Sequence, residues 1–195
     1  PQLFAILSEQ LLLQSGVEIL YGSYAVAVEK NEQKIHAVMI ENKSGRQAIK
    51  AKTVVDATGD CDIAYFSGAP TELFEQGNVL AAWYYYWNES GYDLRMLGYA
   101  DIPDEEKSEG HITQTLVRER FSGVKGEELS KMMQLSHASI LNDVKKCRES
   151  YPNLIPTTIA TIPQIRMTRK LVGEYQLHTD EVHTYFIERQ SIIAL

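Results

Sequence analysis

The chain has 195 residues, enough for one good-sized domain or for a domain with an additional lobe. Its 26 acidic residues outnumber its 19 basic ones and give a formal net charge of -7, so we expect neither nucleic acid nor a membrane surface as a partner. It holds no apolar run of about 18 residues, the length that a helical membrane span needs. Its two cysteines form no CxxC pattern, which argues against a disulfide framework or a zinc cluster and predicts a reducing, cytoplasmic compartment.

The first fifty residues predict a helix followed by a small antiparallel β meander. Leucine and phenylalanine recur at helical spacing over residues 1–15, and Gly16 follows as the expected end of that helix. A turn is predicted at 42–45 because Asn, Ser and Gly cluster there. We predict strands over 17–20, 21–29, 34–42 and 46–51.

Residues 52–70 predict a buried strand whose end brings the backbone close to a ligand. Residues 53–55 are β-branched, as in a strand covered on both faces in a parallel sheet. Ala57, Thr58 and Gly59 then leave little side chain between the backbone and a ligand. Asp60 is predicted to cap a short helix, and ligands in open α/β sheets bind where such a strand ends.

The second half of the chain predicts an α+β lobe. The aromatic run 83–87 favours a central, buried strand, and the alternative is an aromatic platform for a flavin or sugar ring. Residues 90–110 are polar and predict a loop, and 127–150 predict a helix with a break near Ser136. A strand at 157–162 and a last helix beginning at Thr179 complete the predicted elements.

Two stretches resemble a known family. Val-Val-Asp-Ala-Thr-Gly-Asp-Cys-Asp-Ile-Ala at 54–64 resembles the second flavin-proximal motif of FAD-dependent oxidoreductases, in the group related to the fumarate reductase and glutathione reductase flavoprotein superfamily. Residues 162–177 are similar to the Arg-Glu-Thr/Ser-Arg-x-Ile-x-Gly-x-Tyr-x-Leu segment that follows in that family. Met167 stands where the family usually has an acidic residue, so no role of that carboxylate carries over.

The resemblance implies a mixed α/β fold, of the α+β kind, that contains part of an FAD-binding sheet. Residues 1–70 would belong to the FAD-binding domain with its β meander, 71–165 to a substrate or cap lobe, and 166–195 to a segment returning toward the FAD domain. The implied activity is hydride transfer between a small organic substrate and a second acceptor through bound FAD. The Gly-x-Gly-x-x-Gly segment and the flavin-capping segment of the family are not in this sequence. We therefore expect an internal fragment that is inactive alone, with the rest of the parent flavoprotein or a second copy covering its apolar surface.

Six residues are the candidate site residues. Ala57, Thr58, Gly59 and Asp60 are the expected cofactor-binding residues, with simple helix capping as the alternative role of Asp60. Arg166 and Arg169 are the expected catalytic residues, because two guanidinium groups on one face of a helix or turn could hold a substrate carboxylate or stabilise negative charge on reduced flavin. A salt bridge to an acid such as Glu174 is the alternative role.

Two other functions fit short patterns. Asp60-Cys61-Asp62 after an apolar stretch is typical of the Asp-x-Asp signature that holds a divalent ion in sugar-nucleotide transferases. The aromatic run 83–87 could serve a non-catalytic carbohydrate-binding module. The five histidines have no metal-ligand spacing, so we expect no protein-bound metal site from them.

Overall fold

The computed structural model describes residues 2–32, 34–97, 119–163 and 165–174, and it divides the chain into two compact units, Pro1–Ala69 and Pro70–Leu195. Both units combine helices with small open sheets, which confirms the predicted mixed α+β class. Every strand pair formed by the described residues is antiparallel. None of the helices in those ranges has the length and apolar character needed to cross a membrane.

The first unit is built on the predicted meander. Its strands β1 (Tyr24–Asn31), β2 (Lys34–Asn42) and β3 (Gly45–Lys50) form one sheet in the order β1-β2-β3. The β2–β3 turn is tight because Gly45 adopts a φ of +90°, and the Ser44 N–H donates to Asn42 Oδ1 at 2.8 Å. The predicted hairpin at 42–45 is confirmed.

A second helix, α2 (Asp62–Phe66), lies against strand β1 of this sheet. Its Ile63 side chain is buried, and the Lys30 ammonium on β1 donates to the carbonyl oxygen of Ser67 just after the helix. The residues between β3 and α2, which carry the candidate cofactor residues, are therefore held at both ends.

The predicted strand at residues 53–55 is not formed. These residues have no strand partner, and Val55 is 83% exposed. Residues 17–20 are likewise irregular rather than a strand. Both errors have one cause: β-branched residues favour extended chain, but that preference becomes a strand only where a neighbouring strand supplies hydrogen bonds and burial.

Helix α1 (Gln2–Gln14) confirms the first predicted helix. Gly16, at a φ of +78°, ends it, and the Val17 N–H donates back to the Leu12 carbonyl at 3.0 Å. The helix is apolar on every side, which is more apolar surface than an isolated surface helix normally shows. Its exposed large apolar side chains are Leu3, Phe4, Ile6, Leu7, Leu11, Leu12 and Leu13.

The second unit contains a three-stranded sheet covered on one face by a long helix. Strands β4 (Thr71–Leu73), β5 (Trp83–Asn88), β6 (Gly91–Met96), β7 (Ile155–Ile159) and β8 (Arg169–Leu171) form two sheets, with the orders β6-β5-β7 and β4-β8. Helix α3 (Gly126–Ser150) packs on the first of them.

Two predictions for this unit are corrected. Residues 91–96 form strand β6 rather than a loop, because Asn88 Oδ1 accepts the Ser90 N–H at 2.8 Å and Gly91 adopts a φ of +129°, which turns the polar chain into a hairpin. Helix α3 runs unbroken through Ser136, whose side chain is buried. The predicted helix at Thr179 and most of the predicted loop at 90–110 lie outside the described residues.

Strand β5 is the central strand of its sheet, as predicted, and its two faces differ. Tyr84 is 0% exposed and packs with Ile140, Val144 and Leu154 in the core beneath α3. On the opposite face Trp87 is 52% exposed. The aromatic run therefore supplies core and surface in alternation, as the period of two in a strand requires.

A polar cluster at the edge of this core ties the sheet to α3. The Tyr84 hydroxyl donates to Asp143 Oδ2 at 2.9 Å, and Arg95 Nη2 donates to Asp143 Oδ1 at 3.1 Å. Burial raises the pKa of Asp143, but the hydrogen bonds from Arg95 and Tyr84 outweigh it and hold that pKa below its usual value. Asp143 is thus an anion that both strands of the hairpin contact.

A second apolar cluster joins the start of α3 to the segment that carries the arginines. Leu80, Phe121 and Met132 are buried together, and Ile165 packs against them. Gly123, at a φ of +76°, leaves room for this segment: a Cβ at that position would lie 2.9 Å from Ile165 Cγ2 and 3.0 Å from Thr168 Cγ2.

We expect Gly123→Ala to lower the free energy of unfolding of this unit by about 2–4 kcal/mol, because the residue would be strained at positive φ and its methyl group would displace Ile165 or Thr168. Urea unfolding followed by tryptophan fluorescence reports on this unit, since both tryptophans lie in it. Gly126→Ala is the matched control, because its methyl group would meet no atom within 4 Å and its φ is not positive. Equal midpoints for the two variants would contradict the packing described here.

Candidate functional site

The candidate cofactor residues lie in a loop of the first unit that is organised by Asp56. Its Oδ1 accepts the Thr58 hydroxyl at 2.8 Å and the Thr58 N–H at 3.1 Å, and its Oδ2 accepts the Ala64 N–H at 3.0 Å. One carboxylate therefore joins both ends of the loop. The chain between Asp56 and Ala64 has to curl around it.

The charge of Asp56 is stabilised by these bonds. Burial raises the pKa of this carboxyl, but the hydrogen bonds from the Ala64 N–H, from Thr58 and from the Ile63 N–H outweigh it, so the pKa lies below that of an ordinary aspartate. Asp56 is consequently ionised at neutral pH and serves as the anion at the start of α2.

Asp60 does not cap α2, which corrects the predicted capping role. The residue before the helix is Cys61, in the left-handed region at a φ of 53°, and it makes no side-chain capping bond. The Asp62 N–H donates instead to Thr58 Oγ1 at 3.0 Å. Two left-handed residues, Gly59 and Cys61, fold the loop back on itself, so that Asp56 and Thr58 reach the helix from further back in the chain.

The small residues of this loop present their backbone to open space. Ala57, Thr58 and Gly59 are exposed, and a Cβ added to Gly59 would meet no atom within 4 Å. The Thr58, Asp60 and Asp62 N–H groups are already directed at the side chains of Asp56 and Thr58. The loop therefore fits the close approach of a neutral part of a cofactor, and these three N–H groups are not available to a phosphate.

The candidate catalytic arginines lie in the second unit, in a segment held by Asn78. Asn78 Oδ1 accepts the Arg166 N–H at 3.2 Å and the Met167 N–H at 3.0 Å, and Asn78 Nδ2 donates to the Met167 carbonyl at 2.5 Å. The next carbonyl, that of Thr168, accepts the Phe74 N–H at 2.7 Å. The backbone beneath Arg166 is thus fixed, while the Arg166 side chain is exposed.

The two arginines do not share a helix face, which corrects the expectation from their spacing of three residues. Arg166 lies in irregular chain, and Arg169 is the first residue of β8, where it pairs with Leu73 of β4. The structure brings Arg166 and Arg169 into one short segment but gives no shared helical face.

A comparison with family models found a match for the first part of the chain. Residues 1–82 match the model described as FAD dependent oxidoreductase. This segment is similar to FAD-dependent oxidoreductases. The match includes the predicted flavin-proximal motif, and it confirms the resemblance there. The family implies FAD as the cofactor.

The match ends before Arg166, so the similarity seen at 162–177 stays a prediction. A comparison with curated proteins and one with solved structures gave no match. The similarity to the flavin oxidoreductases therefore covers residues 1–82, which include helix α1, the meander and the Asp56 loop.

The two alternative functions gain no support. Within the described ranges, no group of three or more His, Cys, Asp or Glu side chains is placed to hold a metal ion, which leaves the Asp60-Cys61-Asp62 pattern without further ligands. The aromatic residues 83–87 are divided between core and surface and form a strand. That arrangement is accounted for by sheet packing.

Sequence reasoning missed the two side chains that organise these sites. Asp56 is predicted at the end of a strand and its role is therefore missed, although an aspartate side chain commonly accepts a hydrogen bond from the backbone N–H two residues on. The role of Asn78 is missed because its sequence position is also typical of the end of a loop. A polar amide directly before the apolar residues 79–82 nevertheless indicates a buried, hydrogen-bonded group.

We expect Asp56→Asn to destabilise the first unit by about 1–2 kcal/mol at neutral pH, because it removes the charge and one acceptor oxygen from the loop. The pKa of Asp56 is lowered by folding, so its contribution is complete above the unfolded pKa of about 3.9 and is lost as the pH falls through the lower folded value. Urea titrations followed by circular dichroism from about pH 7 down to about pH 3 should show the wild type and the variant converging in acid.

Glu18→Gln is the control for that experiment, since it removes one negative charge from an exposed position in the same unit. We expect no change in stability from it at either pH. A difference between Asp56→Asn and the wild type that stays constant down to the acid end of the range would show that the charge of Asp56 contributes nothing.

Proposed function

We propose that this protein transfers a hydride between a small organic substrate and a second acceptor, using FAD. The observation that carries the proposal is the family match over residues 1–82, which contains the exposed Ala57-Thr58-Gly59 backbone. When bound, FAD supplies the redox chemistry, and the protein supplies binding, orientation and electrostatics.

Ala57, Thr58, Gly59 and Asp60 are the proposed cofactor-binding residues. The first three would let a neutral part of FAD, such as its adenosine, lie against the backbone, because no side chain larger than that of threonine intervenes. The Thr58, Asp60 and Asp62 N–H groups are directed at the side chains of Asp56 and Thr58, which favours this over a contact of those groups with the pyrophosphate. Half-buried Asp60 follows Gly59 and would supply a hydrogen-bond acceptor at the same place.

Arg166 and Arg169 are the proposed substrate-binding residues. A guanidinium group binds a carboxylate through two parallel hydrogen bonds, and an exposed arginine on a fixed backbone suits that task. The role of each would be to bind and orient an anionic substrate and to stabilise negative charge near it.

A reducing, cytoplasmic compartment remains our proposal for the location of the protein. Both cysteines, Cys61 and Cys147, are free thiols. Free thiols are typical of proteins from reducing compartments.

The cofactor assignment is tested with Gly59→Ala in the protein expressed from its native reading frame. The substitution strains a residue at a φ of +84° and places a methyl group in the space that FAD would enter. We expect FAD affinity, measured from the quenching of flavin fluorescence, to fall about tenfold or more.

Gly45→Ala is the matched control, because Gly45 has a similar φ of +90° and equally open surroundings in the β2–β3 turn. We expect it to bind FAD as the wild type does. If the wild-type protein shows no flavin absorbance and takes up no added FAD, the proposed function is wrong. If the wild type binds FAD and Gly59→Ala binds it as tightly as the control does, the loop assignment alone is wrong.

The arginine assignment is tested with malonate as a simple carboxylate probe. We expect the guanidinium NMR signal of Arg166 to shift on titration, and Arg166→Gln to weaken malonate binding about tenfold, since a charge-assisted hydrogen bond is lost. Arg46→Gln is the control, because Arg46 is an exposed arginine paired with Glu41 in the other unit. Equal weakening by the two variants would point to general charge effects and contradict the assignment.

A further inference from the structure

Asn78 is a fully satisfied polar group inside the second unit. It is 1% exposed and directly precedes the buried residues 79–82. Its Oδ1 accepts two N–H groups, those of Arg166 and Met167, and its Nδ2 donates to two carbonyls, those of Met167 and Phe121. The amide thereby uses all the hydrogen bonds that an asparagine side chain can make.

The Asn78 amide acts like a peptide group of a neighbouring strand. It pairs with both the N–H and the carbonyl of Met167, which is the pattern that an antiparallel partner residue would make. Residue 167 belongs to no strand, so this side chain replaces the missing strand partner at the point where the chain passes Arg166.

Asn78 is itself fixed by its own backbone. The Asn78 N–H donates to the Phe121 carbonyl at 2.7 Å, and the Phe121 N–H donates to the Asn78 carbonyl at 3.0 Å. Gly123 lies against Ile165 and Thr168 of the same segment with no room for a methyl group. The chain at 165–168 is thus held both by the Asn78 amide and by the close packing of Gly123.

We propose that Asn78 is a positioning residue for Arg166: it fixes the backbone from which the exposed guanidinium extends and so orders that group for a substrate carboxylate. The proposal rests on the proposed function of the arginine segment. A long side chain on a fixed backbone loses less freedom on binding than one on a mobile backbone, and that difference appears as affinity. The amide acts through the backbone and contacts no substrate.

The test is Asn78→Asp, which keeps the size of the side chain and both acceptor contacts but loses the donors to the Met167 and Phe121 carbonyls. We expect faster amide hydrogen exchange at Arg166 and Met167 and about tenfold weaker malonate binding at the Arg166 signal. Tyr84→Phe is the matched control, since it removes a partly buried hydrogen bond from the same unit but from the other cluster. We expect it to lower stability and to leave malonate binding unchanged.

The outcomes separate the two proposals. If the wild type binds malonate and Asn78→Asp binds it as tightly, or if Tyr84→Phe weakens binding equally, Asn78 has only a structural role and this inference is wrong. If the wild type gives no malonate shift at Arg166, the proposed substrate role of the arginine is wrong and the inference fails with it. Should Asn78→Asp not fold, the wild type decides: exchange of the Arg166 and Met167 amides that is as fast as in exposed chain would overturn the proposal.

Discussion

The hydrogen bonds of the buried Asn78 amide are the constraint on which the second unit depends. Three stretches that are far apart in sequence, around residues 78, 121 and 167, meet at this one side chain. None of the three is paired there as a regular strand of a sheet, although an isolated bridge joins Asn78 to Phe121. A buried backbone N–H or C=O without a hydrogen-bond partner lowers the stability of the fold. The Asn78 amide supplies partners to these groups and so holds the three stretches together. Truncating this side chain would leave several buried polar groups without hydrogen-bond partners at once. This explains why a neutral side chain that both donates and accepts directly precedes the apolar residues 79–82.

In the first unit, a charged side chain supplies the hydrogen-bond partners for the backbone. Asp56 gathers N–H groups from Thr58, Ile63 and Ala64, and the resulting loop exposes the backbone of Ala57 and Gly59. A carboxylate offers only acceptors, so it suits a helix start, where donors are in excess. Asn78 faces donors and acceptors together, so an amide is needed there. The two sites therefore differ in their dependence on pH: the loop has a titratable centre, and the arginine segment is centred on a group that does not titrate.

The family match supports the cofactor proposal, whereas the substrate proposal rests on a later part of the chain. The match to FAD-dependent oxidoreductases ends at residue 82, so it contains the Asp56 loop and Asn78 but not Arg166. The cofactor proposal follows from the matched part and from the open backbone at Gly59. The substrate proposal follows from the chemistry of an exposed guanidinium on a fixed backbone. The exposed apolar side chains of α1, and those of Trp87, Tyr92 and Leu94 on the β5–β6 hairpin, belong to neither site.

The sequence by itself determined the elements whose stabilising contacts are local. Helix α1, the hairpin at 42–45 and helix α3 follow from periodicity and turn residues. The aromatic content of 83–87 also predicted the central place of β5, although β5 pairs with the distant strand β7, and the small residues at 57–59 pointed to the family. The tertiary structure alone decided whether residues 53–55 have a strand partner. It also decided which side chains accept the N–H groups at the start of α2, and which side chain fixes the backbone at Arg166. Those outcomes depend on partners that are distant in sequence or on a loop whose path is set by left-handed residues. A pattern of residue types specifies what a segment prefers, but not which distant donor or acceptor will be close enough to satisfy it.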